Sequence, residues 1–487
     1  MRILLVNAEP FHVEHKAAIP LGLLSIATYM KAKGHTVEIY DRVVEGTGIK
    51  RRLESFRPDI VGVSALAVKS FPDAVKVSKT VKKKNIPVVW GGPVPSLIPE
   101  IALKTGSVDF VVVGEGEITF SALTDALARG TPLRAVDGLA FMENGKPVVN
   151  KPREPADLSD LPVIDFGFVD PKKYFTVNVG CERMLHIYSS KGCPYQCTYC
   201  YNPCFSKSLW RPRPAEYFLN EIRYLAKNHG LDGVFFADDL FSPKREYLRT
   251  VCQKIKEAEI DFVWGCDMRA DICSKEDLRM MHDAGCRWIF FGIESGSADR
   301  QKELKKRVHL EKAREAVDWC KEIGIFTTTT FIMGLPDETE EELKDTIRYV
   351  QNLAADVKLA SFYGPIPASE LYRDLVESRR LEEPKTYKEW GKLAWMDTLG
   401  KNFSKVPGRD LKVISGWFLW SSISGKNRGG KTEKRIYAKK AVGQTFDALK
   451  RGTLNSLILV FLSGKKFLQI VFYATMFPGI RKKYNLR

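Results

Sequence analysis

The sequence predicts an α/β protein built from two successive series of strand and helix units, followed by a basic, mostly helical carboxyl-terminal region. Three observations carry this prediction. Short apolar runs alternate with amphipathic stretches through residues 1–130 and again through residues 181–385. Glycine and polar residues gather just after the apolar runs, where parallel α/β sheets place their ligands. The charge is lopsided, with 19 Lys and Arg against 3 Asp and Glu in residues 401–487, while the preceding 400 residues balance at 56 of each sign.

In the first series RILLVN, TVEIYD, DIVGVSA, PVVW and DFVVV read as buried parallel strands. PLGLLSIATYMKAKG, FPDAVKVSKTVKKK and FSALTDALARG read as the helices between them, giving a Rossmann-like, doubly wound domain over residues 1–135. Ser64, Gly91, Gly92, Gly114, Glu115 and Gly116 fall at the strand ends. Glycine there lets backbone approach a bulky ligand, and it equally suits plain turns. Residues 136–180 are rich in Pro and Asp and read as a connector with a small hairpin near FMENGKPVV.

Over residues 181–385, MLHIYSS, GVFFADD, DFVWGCDMRAD, CRWIFFGIESG, FTTTTFIMGLP and KLASFYGPIP alternate with helical segments. This predicts a partial (β/α)6 barrel with its chemistry at the strand carboxyl ends. In residues 386–487, SLILVFLSGKKFLQIVFYATMF is interrupted by Gly464, Lys465 and Lys466, so neither half is long enough to span a bilayer. It reads as an interfacial segment on an anionic membrane surface, with a helix packed on the barrel as the alternative. Lys450, Arg451, Lys465, Lys466, Arg481, Lys482 and Lys483 would lie at headgroup level, above Phe467, Phe472, Tyr473 and Phe477.

The first cysteine is Cys181, and KGCPYQCTYCYNP then places Cys193, Cys197 and Cys200 in the pattern C-x3-C-x2-C. Thiolates so spaced converge on a soft metal centre. Zinc would want a fourth ligand, for which Cys181 and Cys204 are candidates. A 4Fe-4S cluster held by three cysteines would instead leave one iron open. Ten cysteines at irregular spacing, without an export signal, point to reduced thiols in the cytoplasm.

This motif, with Tyr199 just before its last cysteine, resembles the radical S-adenosylmethionine superfamily. ADDLF (237–241), MRAD with Arg269, GIESGS with Glu294 and Ser295, GLPDETEEEL and GPIPASELY resemble the family's later motifs in order. Ala368 and Ser369 stand where the family has Gly and Thr. The resemblance implies that Cys193, Cys197 and Cys200 hold a 4Fe-4S cluster, and that Tyr199, Asp238, Asp239, Arg269, Glu294 and Ser295 bind S-adenosylmethionine. AIPLGLLSIATYMKAKGHTVEIYD, VGVSALAVKSF, VVWGGPVPS and DFVVVGEGE resemble the cobalamin-binding domain that precedes many such enzymes. That implies cobalamin near Ser64, Gly91, Gly92, Gly114, Glu115 and Gly116. No D-x-H-x-x-G occurs, and His12 and His15 stand at the wrong spacing, so the implied cobalamin is base-off with no histidine ligand.

The resemblances together imply a cobalamin-dependent radical enzyme that methylates an unactivated carbon of an apolar intermediate such as a lipid, isoprenoid or tetrapyrrole. Flavodoxin or ferredoxin would supply its electrons. The alternative is radical-initiated cyclisation, ring contraction or oxidation without methyl transfer. An RNA-modifying methylthiotransferase is a poorer match, because those enzymes carry three cysteines in the amino-terminal domain. Tail aromatics grouped with aliphatics favour lipid over nucleic acid. The expected location is the cytoplasm, peripheral at the inner face of the membrane. The sequence singles out no catalytic residue beyond the cofactor contacts.

Overall fold

The structure, a computed structural model, describes residues 1–8, 18–46, 48–66, 68–393, 400–424 and 478–486. His12, His15 and the interfacial residues from Lys450 to Phe477 lie outside the described residues.

The first sheet contains β1 (Arg2–Asn7), β2 (Thr36–Asp41), β3 (Ile60–Ser64), β4 (Val88–Gly91) and β5 (Phe110–Val112), parallel in the order β2-β1-β3-β4-β5. Both faces are covered, which explains the unbroken apolar runs. Ile3 and Leu5 of β1 join one core with Leu24 and Leu123, while Leu4 and Val6 join the other with Leu53 and Phe71. Because β1 pairs with both β2 and β3, the connections diverge between β1 and β3 and open a crevice at the strand carboxyl ends. The connector hairpin, β6 (Leu139–Glu143) and β7 (Lys146–Val149), extends this sheet antiparallel. Its turn residues Asn144 (φ 50°) and Gly145 (φ 75°) are both left-handed, as a two-residue hairpin turn prefers.

The rest of the connector ties the two halves together. Tyr174 Oη donates to Asp41 Oδ2 at 2.9 Å, and Ile164 N donates to Glu221 Oε1 at 2.8 Å. The short β8 (Thr176–Asn178) then pairs antiparallel with β9 (Cys181–Ile187). After a two-residue ribbon formed by β10 (Ser190–Lys191) and β11 (Arg211–Pro212), the main sheet continues through β12 (Gly233–Phe236), β13 (Val263–Met268), β14 (Cys286–Glu294), β15 (Phe326–Met333) and β16 (Val357–Phe362). These strands and β9 lie parallel in chain order, each pair joined through the outer helical layer. Met184, Trp288, Phe326 and Val357 fill the amino-terminal half of the barrel interior, so the open space lies at the opposite end.

Gly265 of β13 makes room for the Trp288 indole, which a Cβ at that position would overlap. Gly265→Ala is expected to destabilise the fold by about 1–3 kcal/mol, as overpacked cores do. Urea unfolding measures this, and pairing Gly265→Ala with Trp288→Leu should recover part of the loss.

Helix Gly408–Ser424 covers the far edge of the barrel at β16, with Phe418 packed on Phe331 at 5.4 Å between ring centroids. The last described segment returns to this helix, where Lys483 Nζ and Tyr484 Oη each lie 3.1 Å from Asp410 Oδ2. Lys483, exposed at the surface, also pairs with Glu340. No helix among the described residues is long and apolar enough to cross a membrane.

Candidate active site at the barrel mouth

The β10/β11 ribbon closes residues 192–210 into a loop above the strand carboxyl ends. Gly192 (φ 85°) sits where the loop leaves the ribbon, and a Cβ there would collide with the Leu209 carbonyl oxygen. Asp239, just beyond β12, clasps both sides of the cysteine triad: one oxygen accepts from Gly192 N at 3.0 Å and the other from Tyr201 Oη at 2.9 Å. The middle of the loop is pinned by Thr198, whose N donates to Leu304 O and whose carbonyl accepts from Leu371 N, both at 3.0 Å.

Beneath the loop lies a cavity of about 220 Å³. Cys193, Tyr195 and Cys197 form its roof, and Asp239, Asp267, Arg269, Glu294 and Lys306 supply its charge. Leu240, Met268 and Phe290 form its apolar wall, with Gly292 and Thr330 beside them. Arg269 is largely spent on holding this mouth together. Its Nε and Nη2 donate to Asp271, its Nη1 to Lys306 O and its Nη2 to Arg307 O, using four of the five guanidinium donors. Tyr195 stacks over it at 4.0 Å.

Glu294 ends β14 at a register shift against β15 and adopts left-handed backbone (φ 70°), an uncommon state for a side chain with a Cβ. That turn aims its carboxylate at Lys306 Nζ, 3.4 Å away. Burial pulls Lys306 down, but Glu294 more than offsets this and holds it above the usual lysine value. Burial, reinforced by Asp238 and Asp239, raises Asp267 to about 7. The result is a polar pocket with one loose ion pair and one carboxyl that gains or loses a proton near neutrality.

On the facing domain, Ser64 ends β3 and Gly91 ends β4. Gly92 (φ 110°) and Gly114 (φ 89°) take conformations that favour glycine, and Gly114 N donates to Ser96 Oγ at 2.9 Å. Leu66, just past β3, is 65% exposed, the highest value among the described large hydrophobics. Gly116 has a packing reason of its own: a Cβ there would stand 2.5 Å from Ile26 Cδ1 in the neighbouring helix. Glu115 bonds Arg211 of the ribbon, Nη1 to Oε2 at 3.1 Å, and Lys191 Nζ meets Glu117 Oε1 at 3.0 Å. These two ion pairs fasten the first domain to the base of the cysteine loop.

Residues 15–124 match the B12 binding domain model, and residues 187–350 match that of the radical SAM superfamily. An uncharacterized methyltransferase of Pyrococcus horikoshii is 30% identical over 370 residues, 74% of this chain and 79% of the relative. The chain belongs to the radical S-adenosylmethionine enzymes that carry a cobalamin-binding domain. An anaerobic magnesium-protoporphyrin IX monomethyl ester cyclase of Rubrivivax gelatinosus is 26% identical over 73% of this chain and 66% of its own length. The hopanoid C-3 methylase of Methylococcus capsulatus is 26% identical over 74% and 69%. The fold is shared with the radical S-adenosylmethionine methyltransferase TsrM of Kitasatospora setae, solved with cobalamin and a 4Fe-4S cluster, at a TM-score of 0.65 and 19% identity over 77% of this chain and 75% of that one.

In this radical S-adenosylmethionine enzyme the donor set fits a cluster better than zinc. Cys181 begins β9 at the far end of the barrel, against Gly233, and Cys204 Sγ donates to Ala368 O at 3.0 Å. Neither joins the triad, and among the described residues no three His, Cys, Asp or Glu side chains are grouped to hold one metal ion. Three thiolates are one ligand short of a structural zinc site and suffice for a 4Fe-4S cluster with one iron open. Burial raises Cys200 to about 12, so its thiolate needs a compensating cation. Cys252, Cys266, Cys286 and Cys320 are buried in the barrel wall, as free cysteine commonly is.

The sequence expectation pairs Asp238 with Asp239 and Glu294 with Ser295, and the structure separates both pairs. Asp239 and Glu294 line the cavity together with Arg269, whereas Asp238 and Ser295 do not. Asp238 accepts from Ser189 N (2.7 Å), Ser189 Oγ (2.5 Å) and Ser190 Oγ (2.9 Å). Ser295 Oγ accepts from Ser297 N and lies 3.3 Å from Thr346 Oγ1. Tyr199 stands beside Cys197 and Glu294, outside the cavity lining. Tyr195, Asp267 and Lys306 were not anticipated from sequence. Asp267 carries a signal, since it precedes Arg269 by two positions and so shares its strand face. Ala368, where the family has Gly, is left-handed at φ 62°.

A buried acid outside the cavity provides a pH prediction. Glu338, on the GLPDET turn, accepts from Gly334 N at 2.7 Å, and burial raises its carboxyl to about 7. A folded-state value above the unfolded one means that the native protein binds the extra proton, so this term of stability falls as pH rises from about 4.5 to 7. Glu338→Gln keeps an acceptor for Gly334 and loses the titration. Its unfolding free energy, from urea titrations at each pH, should fall less than that of wild type between about pH 5 and pH 8, a difference on the order of a few kcal/mol.

Proposed function

We propose that the protein methylates an unactivated carbon of an apolar biosynthetic intermediate, using base-off cobalamin and a radical generated from S-adenosylmethionine. When bound, the cluster supplies the electron that cleaves S-adenosylmethionine, and cobalamin carries the methyl group. The observation that supports this most directly is the cavity roofed by Cys193 and Cys197. Its charged side suits a zwitterionic amino-acid end: Lys306 would face the carboxylate and Glu294 the ammonium, and Arg269 retains one Nη1 donor. Leu240, Met268 and Phe290 provide the apolar side. The names of the cyclase and hopanoid methylase relatives support a tetrapyrrole-like or lipid substrate. Flavodoxin or ferredoxin serves as the electron donor in this reading.

The deciding experiment counts products. With reductant, S-adenosylmethionine and candidate substrate, methylation gives S-adenosylhomocysteine and 5′-deoxyadenosine in comparable amounts. Deoxyadenosine without S-adenosylhomocysteine would exclude methyl transfer and leave the cyclisation or oxidation that the cyclase relative supports. The basic residues of 401–487 support a peripheral position on an anionic membrane. Glutamine at Lys450, Arg451, Lys465 and Lys466 should then weaken sedimentation with anionic vesicles, and unchanged sedimentation would refute it.

A further inference from the structure

Asn202 stands two residues beyond Cys200 and opens the short helix Asn202–Phe205. It is 2% exposed, yet neither Nδ2 nor Oδ1 has a hydrogen-bond partner. Among the described residues no other buried side-chain amide is unpartnered at both ends. Its backbone is satisfied, with N donating to Cys200 Sγ at 3.4 Å and O accepting from Ser206 N at 2.8 Å. A buried polar atom left unpaired costs about 1–3 kcal/mol, and native chains leave few of them. Two on one side chain point to a ligand that both donates and accepts.

The surroundings say which side that ligand occupies. Helix Asn202–Phe205 packs on helix Pro93–Leu97, which starts directly after Gly91 and Gly92 at the end of β4. Tyr199 packs into the apolar cluster containing Trp90 and Val94 of that same region. Thr198 Oγ1, 3% exposed on the same loop, is also unpartnered. Neither Thr198 nor Asn202 lines the 220 Å³ cavity, and the helix that Asn202 opens packs on the first domain.

We propose that Asn202 pairs with a peripheral carboxamide of the corrinoid and thereby registers cobalamin against the cysteine loop. The inference rests on the corrinoid reading above. The corrin rim carries carboxamides, and an amide facing an amide satisfies one donor and one acceptor on each partner. A carboxylate or a cluster sulfide would satisfy Nδ2 and leave Oδ1 unpaired. Because the backbone N–H of the same residue lies on Cys200, one residue fixes the spacing of two cofactors.

The test is a titration of the full chain, cluster reconstituted, with hydroxocobalamin followed by its visible spectrum. Asn202→Leu should raise the dissociation constant about tenfold or more, with partial recovery in Asn202→Gln and unchanged iron and sulfide content. Among cobalamin derivatives with one rim carboxamide hydrolysed to carboxylate, one should bind wild type about tenfold more weakly than cobalamin, and that difference should vanish in Asn202→Leu. If Asn202→Leu loses its cluster, the derivative series on wild type and Asn202→Gln decides. Equal cobalamin affinity in wild type and variants overturns the inference. So does an effect confined to the cluster's reduction potential and electron paramagnetic resonance spectrum. Wild type that binds no cobalamin at all would sink the corrinoid reading itself, and this inference with it.

Discussion

Cys197→Ala is expected to give a folded protein that has lost its iron-sulfur chromophore and releases no 5′-deoxyadenosine above background. The fold should survive because the loop is held by groups other than the thiol. Thr198 is bonded to Leu304 and Leu371 through its backbone, and Gly192 N and Tyr201 Oη are held by Asp239. The chemistry should not survive, because Cys197 roofs the cavity and two remaining thiols cannot hold a cluster that needs three. Iron and sulfide quantification, far-ultraviolet circular dichroism and chromatography of deoxyadenosine measure the three parts separately. Cys181→Ala and Cys204→Ala are the controls: one thiol is at the far end of the barrel and the other bonds Ala368, so both variants should keep full iron. Iron retained in Cys197→Ala but lost in Cys204→Ala would reassign the ligand set.

The parts of this arrangement that were legible in the sequence are those with local causes. The strands of both sheets read clearly because burial on two faces demands unbroken apolar runs, as Leu4 and Leu5 of β1 illustrate by entering different cores. The cysteine triad stands out in the sequence by its C-x3-C-x2-C spacing, and the structure places Cys193 and Cys197 together in one cavity roof. What could not be read was the direction in which a strand end faces. Asp238 and Asp239 are adjacent, and adjacency on an extended chain means opposite faces. One therefore enters the cavity and the other the wall, and the choice is made by the barrel rather than by the local text. Glu294 and Ser295 also divide, but there the left-handed backbone of Glu294 sets the directions. Lys306 had no readable signal, since it sits in the basic run Lys305, Lys306 and Arg307. Lys305 goes outward to Glu370, and Lys306 goes inward to Glu294. Lys483, a basic residue of the tail, pairs with Asp410 and Glu340 of its own chain, partners that its local sequence does not reveal.

Asp239 is expected to matter for the cluster as well as for the cofactor beneath it. Its two oxygens accept from donors on either side of the triad, Gly192 N and Tyr201 Oη, so one carboxylate sets the width of the loop. Burial and then Asp239 raise the Tyr201 phenol above its ordinary value, which keeps it protonated as a donor. Hydrogen bonds to a charged acceptor contribute about 1.5–3 kcal/mol each, so losing one should speed cluster loss by at least about tenfold. Iron retention under a chelator should therefore fall in the order wild type, Tyr201→Phe, Asp239→Asn, Asp239→Ala. Asparagine in this series keeps one acceptor and loses the charge. If Asp239 instead served only to contact S-adenosylmethionine, Tyr201→Phe would retain iron like wild type. Asp239→Ala would then raise the KM for S-adenosylmethionine without hastening chelation. The cavity lining permits both roles at once, and in that case Asp239→Ala loses iron and weakens S-adenosylmethionine binding, while Tyr201→Phe shows only the first effect.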